Sequence, residues 1–173
     1  RRKEFLICLC YFKLSCMTPA IHALDEANIQ YQLLEYSHER SNDGFGNEAV
    51  EKLGLSDDVV FKTLLVQLSS QEIIVCLVPV GLSLNLKAVA RAAGAKKAAL
   101  APIRTAEKRT GYVTGGISPF GQLREHRTFI DKSAFPLNLI YVSAGRRGLE
   151  VCVPPEAFSV LLGATFVTLT DYE

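Results

Sequence analysis

Apolar residues occur along the chain in short blocks that have the lengths of single strands and short helices. Apolar runs at residues 59–68 and 73–78 are separated by Ser-Ser-Gln-Glu, a spacing typical of a β-hairpin. Further strands are predicted at residues 31–36, 97–101, 128–131, 139–143 and 149–153, and residues 165–169 close the chain. The segment Gly-Arg-Arg-Gly at residues 145–148 predicts a second hairpin turn between the last two of these strands.

Helices are predicted where capping residues and glycines enclose a helical periodicity. The first covers residues 18–28, because Thr18 can cap it and Pro19 can occupy its first turn. Others are predicted at residues 47–53, 86–93 and 105–109, each ended by a glycine within two residues, and from Pro154-Pro155 to Leu162. Helices scattered among hairpin-linked strands predict an α+β fold with a mixed, largely antiparallel sheet flanked by helices.

The size and composition of the chain indicate one globular domain. It has 173 residues, of which 49% are hydrophobic and 21% are charged, enough for one well-packed core. No apolar run reaches the roughly 18 residues that a membrane-spanning helix needs. Residues 1–12 imitate a signal peptide, but Lys13 interrupts the apolar stretch and no small-x-small cleavage pattern follows. We therefore expect residues 1–16 to be a non-native or upstream extension and residues 17–173 to form the domain.

The cysteine positions are typical of a reducing, cytoplasmic compartment. Three of the five cysteines lie in the extension, at Cys8, Cys10 and Cys16. Cys76 and Cys152 each fall within an apolar run that is predicted to be a buried strand. We expect these two to be small core residues and not a disulfide or a metal-binding pair.

The net charge of +1 conceals a basic middle segment. Residues 87–147 contain twelve Lys or Arg and three Asp or Glu, whereas residues 17–86 contain three and ten. A basic segment of this kind is often the footprint of a phosphate-rich partner. It is equally consistent with a solvated face whose charges pair with the acidic N-terminal part of the chain.

Lys62 is the first candidate for a functional residue. It lies within Val-Val-Phe-Lys-Thr-Leu-Leu-Val, which otherwise has the composition of a buried strand. Removing an ammonium group from water is costly, so a lysine at such a position either extends to solvent at a sheet edge or meets an anion in a pocket. The central-strand character of the run favours the pocket.

A second candidate is the loop Gly-Gly-Ile-Ser-Pro at residues 115–119. Paired glycines let a backbone approach a ligand closely and direct consecutive N–H groups at an anion or a developing oxyanion. Most glycine-rich loops are simple turns, and this one matches neither the phosphate-binding loop of NTPases nor the dinucleotide fingerprint. A third group of candidates follows at the end of the chain's sixth predicted strand. Ser143 can offer a hydroxyl to a ligand. Arg146 and Arg147 can bind phosphates, or they can be exposed charges of an ordinary hairpin.

Histidines and nucleophiles do not form a recognisable catalytic pattern. His22 falls in the first predicted helix, and His38 and His126 fall in predicted loops. The sequence contains no nucleophile elbow and no metal-ligand spacing. A hydrolase built on this chain therefore lacks an obvious side-chain nucleophile and base.

Four motifs in this order resemble the YbaK/EbsC family of Cys-tRNA(Pro) deacylases, relatives of the editing domain inserted in prolyl-tRNA synthetases. They are Phe-Lys-Thr-Leu-Leu-Val, Leu-Lys-Ala-Val-Ala-Arg-Ala-Ala-Gly-Ala-Lys-Lys, Thr-Gly-Tyr-Val-Thr-Gly-Gly-Ile-Ser-Pro-Phe-Gly and Tyr-Val-Ser-Ala-Gly-Arg-Arg-Gly-Leu-Glu. The resemblance runs from Met17 almost to the end of the chain and implies the YbaK-like fold.

The resemblance also implies the site. Lys62 is expected to hold the 3′ end of the substrate, and Gly115 and Gly116 are expected to supply backbone contacts at the scissile ester. With Ser143, these residues are the expected catalytic group. The residues expected to bind the substrate are Tyr36, Phe45, Thr63, Ile117, Ser118, Pro119 and Glu150, the last departing from the Asp that is frequent in the family.

The reaction implied by the resemblance is trans-editing, the hydrolysis of Cys-tRNA(Pro), in which the thiol of the substrate attacks its own ester and can pass through a cysteine thiolactone. It requires no metal and no cofactor, and positioning with oxyanion stabilisation is a sufficient contribution from the protein. The expected partners are the acceptor end of tRNA(Pro) and prolyl-tRNA synthetase, with no membrane association. The alternatives are a deacylase for Ala-tRNA(Pro) or other mischarged tRNAs, and a non-catalytic tRNA- or synthetase-binding module.

Overall fold

The computed structural model describes residues 17–39 and 45–171. The extension predicted at residues 1–16 and its three cysteines lie outside the described residues. In order along the chain the elements are α1 (Pro19–Glu26), β1 (Gln32–Glu35), α2 (Phe45–Leu53), β2 (Phe61–Leu68), β3 (Ile73–Pro79), α3 (Leu86–Ala93), β4 (Ala98–Leu100), α4 (Ile103–Thr110), β5 (Thr128–Asp131), β6 (Ile140–Arg146), β7 (Leu149–Val153), α5 (Glu156–Leu162) and β8 (Thr165–Val167). A short 3-10 turn, Lys132–Ala134, follows β5.

Local sequence accounts for the ends of several elements. The Thr18 hydroxyl accepts a hydrogen bond from Ile21 N–H at 3.3 Å and caps α1, as predicted. The Asn85 side chain does the same for Ala88 N–H at 2.9 Å, and Gly94 ends α3 in the left-handed conformation at φ 70°. The predicted bounds of α3 are therefore those observed.

The strands form two sheets and not the single sheet that the sequence predicted. Five strands lie in the order β4-β2-β3-β5-β8, with antiparallel pairs around β2 and parallel pairs around β5. The other three lie in the order β1-β7-β6 and are all antiparallel. The sheets meet at a parallel bridge between Val60 and Tyr141. The α+β class and the mixed, largely antiparallel pairing are confirmed.

Two hydrophobic clusters stabilise this arrangement. The first combines side chains from both sheets, such as Leu77 and Val151, with apolar faces of α1 and α5. The second lies on the opposite face of the five-stranded sheet and packs against α3, with Cys76 and Val89 at 0% exposure. Cys76 and Cys152 are both buried and free, as predicted. Within the described ranges, no helix is long and apolar enough to cross a membrane.

Several elements differ from their predicted bounds by one to three residues, and two of these differences lie beside the cavity described below. Helix α2 begins at Phe45, two residues before the predicted start, and places a phenylalanine at its first position. Strand β6 continues to Arg146 through an irregularity in the register between Ser143 and Arg146. A bulge of this kind bends a strand and separates it from its neighbours, and in this protein the bend lies beside a cavity.

Candidate active site

A cavity of about 410 Å³ lies where strands β2 and β6 separate. Strand β4 pairs with β2 over Val66–Leu68, and the bridge to β6 is made by Val60, which immediately precedes β2. The residues of β2 between these points, Phe61 to Leu65, line the cavity. Helices α2 and α4 and the loop after α4 complete its walls. The predicted site residues among those lining it are Phe45, Lys62, Thr63, Gly115, Ile117, Ser143 and Glu150.

Lys62 is a half-buried cation in this cavity. Its Nζ donates to the carbonyl oxygen of Val80 at 3.3 Å, and within the described residues it forms no ion pair. Burial lowers the pKa of Lys62 from its ordinary value because the ammonium loses part of its hydration. A cation held by one long hydrogen bond in a cavity is available to bind an anionic or strongly polar part of a ligand.

The glycine loop contributes alternate residues to the cavity. Gly115 and Ile117 line it, whereas Gly116 is buried behind them and donates its N–H to the Val113 carbonyl at 2.9 Å. The predicted run of consecutive N–H groups facing a ligand is therefore interrupted at Gly116. The N–H groups of Gly115 and Ile117 have no acceptor within the described part of the chain. Both amides are therefore available to a hydrogen-bond acceptor on a ligand.

Gly115 also has no room for a side chain. Its backbone has φ 88°, and a Cβ atom would lie only 2.5 Å from a ring carbon of Phe45. A Cβ on Gly116 would lie 2.8 Å from the backbone of Arg146. The loop is thus packed between the first residue of α2 and the β6–β7 turn, and glycine is required at both positions.

Phe45 is held at the mouth of the cavity from two sides. The guanidinium of Arg147 lies 4.9 Å from the ring centroid, and its Nε donates to the Thr114 carbonyl at 2.9 Å. On the other side the ring centroids of His38 and Phe45 are 5.6 Å apart. Arg147 therefore connects Phe45 to the loop that carries Gly115. Because Arg146 pairs with Glu35 at 2.6 Å, both arginines that the sequence offered as phosphate ligands are engaged within the protein.

Glu48 fixes α2 to the chain that follows β1. Its carboxylate accepts hydrogen bonds from the Glu39 N–H and from the His38 ring, both at 2.7 Å, and the residue is only 5% exposed. Burial alone would raise the pKa of Glu48, but these hydrogen bonds outweigh it and keep the pKa below its ordinary value. The hydrogen bond between Glu48 and His38 holds the His38 ring beside Phe45. The sequence context of His38 did not suggest this role.

Three neutral polar groups also line the cavity, those of Thr63, Ser143 and Glu150. Ser143 on β6 and Glu150 on β7 are cross-strand partners, and Thr63 lies on β2. The hydroxyls of Thr63 and Ser143 are buried and form no hydrogen bond within the described residues. Burial raises the pKa of Glu150 to about 8, so that its carboxyl group is protonated near neutral pH. All three groups can therefore exchange hydrogen bonds with a polar, uncharged part of a ligand.

Four predicted site residues lie outside the cavity lining. Tyr36 is adjacent to the site, where burial and the nearby Glu150 raise its pKa to about 12. Ser118 is 0% exposed, and its hydroxyl accepts from Phe120 N–H at 3.3 Å. Pro119 is buried beside it, and Gly116 packs on the β6–β7 turn. These residues support the loop, and direct contact of any of them with substrate remains a prediction.

The comparisons with known proteins identify the family. A family model described as the aminoacyl-tRNA editing domain matches residues 46–159. The chain belongs to the aminoacyl-tRNA editing domain family. It is 32% identical over 157 residues, 90% of this chain and 94% of the relative, to the Enterococcus faecalis protein named "Putative Cys-tRNA(Pro)/Cys-tRNA(Cys) deacylase EbsC". The resemblance to the YbaK/EbsC family is thereby confirmed.

Solved structures share the fold of this editing domain at low sequence identity. A protein described as hypothetical protein APE2540 has a TM-score of 0.79 at 20% identity, covering 89% of this chain and all of its own. A protein described as "a putative trans-editing enzyme for prolyl tRNA synthetase" has a TM-score of 0.72 at 17% identity, covering 90% and 99%. Family membership assigns the chain to aminoacyl-tRNA editing, the hydrolytic removal of an amino acid from a tRNA.

Several residues of the candidate site carry no signal in the sequence. Leu64, Val80, Leu100 and Ile103 line the cavity, and Arg147 holds Phe45. Single apolar residues are common on protein surfaces, and the sequence does not distinguish those that line a cavity from the others. Leu100 and Ile103 could therefore not be recognised as site residues. In the described residues, no three His, Cys, Asp or Glu side chains lie close enough to share a metal ion.

Glu150→Gln is expected to change how stability depends on pH. Between about pH 4.5 and pH 8 the folded wild type keeps a proton that the unfolded chain has released, so its free energy of unfolding falls as the pH rises through this window. Glutamine does not titrate. The free energy of unfolding of the variant minus that of the wild type should therefore rise by on the order of a few kcal/mol from pH 5 to pH 9. Denaturant unfolding at each pH measures this difference.

The matched control for this experiment is Glu156→Gln, which removes one exposed carboxylate on α5. Its unfolding free energy should stay parallel to that of the wild type across the same range. Parallel profiles for Glu150→Gln and wild type would show that Glu150 is charged in the folded protein at neutral pH.

Proposed function

We propose that this editing domain hydrolyses Cys-tRNA(Pro) in trans by using the thiol of the substrate. The observation that carries the proposal is one cavity that combines a cation, Lys62, with two backbone amides, Gly115 and Ile117, and contains no paired nucleophile and base among its lining residues. Such a cavity can orient a substrate and stabilise an oxyanion, but the attacking atom has to come from the substrate or from water.

In the proposed first step the cysteine sulfur attacks the carbonyl carbon of its own ester. A C–S bond forms, the C–O bond to the tRNA 3′ oxygen breaks, and the thiol proton passes to that oxygen, leaving a cysteine thiolactone. Water then opens the thiolactone to free cysteine, so the net reaction is ester hydrolysis. Lys62 holds the 3′ terminus, and the amides of Gly115 and Ile117 bind the carbonyl oxygen as it gains charge.

The three neutral polar groups of the cavity support the same assignment. Thr63 and Ser143 offer hydroxyls without partners among the described residues, and Glu150 is protonated near neutral pH. These groups suit a small polar amino acid such as cysteine and add no negative charge next to the thiol. A volume of about 410 Å³ lies in the range typical of small-molecule sites.

The test compares tRNA(Pro) charged with cysteine, serine or alanine. We expect Cys-tRNA(Pro) to be deacylated at least about 100-fold faster than Ser-tRNA(Pro), because exchanging sulfur for oxygen removes the good nucleophile but changes the size of the side chain little. Release of the radiolabelled amino acid at equal tRNA concentration measures the rates. Equal rates for cysteine and alanine would point to water attack and to the Ala-tRNA(Pro) alternative. Binding of mischarged tRNA without any turnover would indicate a non-catalytic module.

Because the cavity can contact only the end of the tRNA, we also propose that selectivity for tRNA(Pro) comes from association with prolyl-tRNA synthetase. The expected result is faster editing when the synthetase is added at micromolar concentration. An unchanged rate over the full titration would contradict this association.

A further inference from the structure

Exposed cations lie on the elements that form one part of the cavity lining. Leu100 of β4 and Ile103 and Ala106 of α4 line the cavity. The exposed charged side chains of α4 and of the residue before β4 are cations, whereas the α4 carboxylate Glu107 is only partly exposed and accepts a hydrogen bond from the Thr114 N–H at 2.9 Å. The basic middle segment of the sequence therefore places exposed cations next to the cavity.

On β4 and α4, these cations adjoin apolar side chains that reach the cavity. We name as the rim face the exposed residues Lys97, Leu100, Ile103, Arg104 and Lys108. Leu100 and Ile103 line the cavity, yet they are 58% and 62% exposed, respectively. Arg104 and Lys108 are four residues apart on α4 and thus project from the same side of the helix. Lys97 immediately precedes β4 and lies about 10 Å from Leu100, given the rise of a strand.

The cations of the rim face are not neutralised by the protein. Within the described ranges, Lys97, Arg104 and Lys108 form no ion pair, whereas other exposed cations such as Lys52 and Arg127 pair with glutamates at 3.0 and 2.9 Å. Three unpaired cations spread along an edge next to a cavity create a positive potential there. A polyanion that enters the cavity by one end would be attracted to this face.

We propose that the rim face binds the RNA backbone adjacent to the 3′ terminus, so that the acceptor stem leaves the cavity over β4 and α4. The identity of the RNA as an aminoacylated tRNA rests on the proposed function. With the terminal adenosine ester in the cavity, the preceding nucleotides must cross the mouth. Their phosphates meet Arg104, Lys108 and Lys97, and the apolar side chains of Leu100 and Ile103 contact the unstacked bases.

The test uses two pairs of charge reversals that are matched in geometry. The variant Arg104→Glu/Lys108→Glu changes an exposed pair on α4, and the control Lys87→Glu/Arg91→Glu changes an exposed pair with the same spacing on α3. No residue of α3 lines the cavity. The affinity for uncharged tRNA is measured by fluorescence anisotropy at several salt concentrations, and kcat/KM is measured for Cys-tRNA(Pro) and for the 3′-cysteinyl ester of adenosine.

We expect the α4 variant to bind tRNA at least about tenfold more weakly and to lower the slope of log affinity against log salt by about two, one for each phosphate that is no longer neutralised. Its kcat/KM for Cys-tRNA(Pro) should fall by about the same factor as its affinity for tRNA. Its kcat/KM for the adenosine ester, which has no acceptor stem, should fall much less. The α3 control should keep the wild-type values.

Three results would overturn the inference: wild-type affinity in the α4 variant, an equal loss in the α3 control, or no measurable tRNA binding by the wild type. Failure of the proposed function has a different signature, because the wild type would then bind tRNA but turn over neither substrate. The binding measurements decide the role of the rim face in either case.

Discussion

Lys62→Ala is expected to lower kcat/KM for mischarged tRNA by at least about 100-fold and to leave the fold intact. Lys62 is a cation that lines the cavity and forms no ion pair within the described residues, so its loss removes the group to which we assign the positioning of the 3′ end. Displacing a reacting group by about 1 Å can cost about 100-fold in rate. Deacylation under single-turnover conditions measures the effect on chemistry directly.

The fold should tolerate this change because Lys62 contributes little to stability. Its ammonium loses hydration on burial, which lowers its pKa, and it gains only one hydrogen bond, to the Val80 carbonyl at 3.3 Å. The thermal unfolding midpoint should therefore stay within a few degrees of the wild type. Retained full activity with a normal fold would falsify the assignment of Lys62 to the site.

Two further variants separate charge from packing at this position. Lys62→Met keeps the length of the aliphatic chain but removes the charge, and it should be as inactive as Lys62→Ala. Lys52→Ala removes an exposed lysine that pairs with Glu39 at 3.0 Å, outside the cavity lining. This control should keep full activity, and a comparable loss in it would indicate a general electrostatic effect.

Gly115→Ala is the second substitution with a large expected effect, a loss of about 100-fold in kcat/KM. The new Cβ would lie 2.5 Å from the ring of Phe45, so either the ring or the loop has to move. The backbone of Gly115, at φ 88°, also disfavours alanine by roughly 1–2 kcal/mol. Both effects displace the amides of Gly115 and Ile117 that we assign to the oxyanion.

Gly94→Ala is the matched control for Gly115→Ala. Gly94 also has a positive φ, 70°, but a Cβ there would have no neighbour within 4 Å. The control should lose about as much stability from backbone strain while keeping its activity. The two variants are compared by thermal unfolding and by deacylation of Cys-tRNA(Pro). Equal activity loss in both would mean that strain, and not displacement of Phe45, inactivates the enzyme.

Local sequence signals predicted the elements well where the determinants lie within a few residues. The caps Asn85 and Gly94 enclose α3, and the observed helix has the predicted bounds. Strand β3 is apolar at every position because it is buried on both faces, which made its position clear. Helix α2 was predicted to start too late, because the packing of Phe45 against Gly115 and Arg147 stabilises its first turn.

The candidate site was predicted in part for the same reason. Lys62 in an apolar strand and glycines in a polar loop are anomalies that can be detected locally, and both contribute to the cavity. The contact between Phe45 and Arg147 joins positions about a hundred residues apart, and no periodicity encodes it. The acceptor role of Glu48 for His38 and Glu39 likewise depends on how α2 packs.

The sequence by itself determined the α+β class, the β2–β3 hairpin, the family resemblance and two anchors of the site, Lys62 and the glycine loop. Only the tertiary structure decided that there are two sheets, that they separate beside Lys62, and that exposed cations of the basic segment lie next to the cavity. The physical reason is the separation along the chain of the residues that determine each feature. Caps, turns and strand patterns arise from neighbours in the chain, whereas a cavity and its electric field arise from residues that only folding brings together.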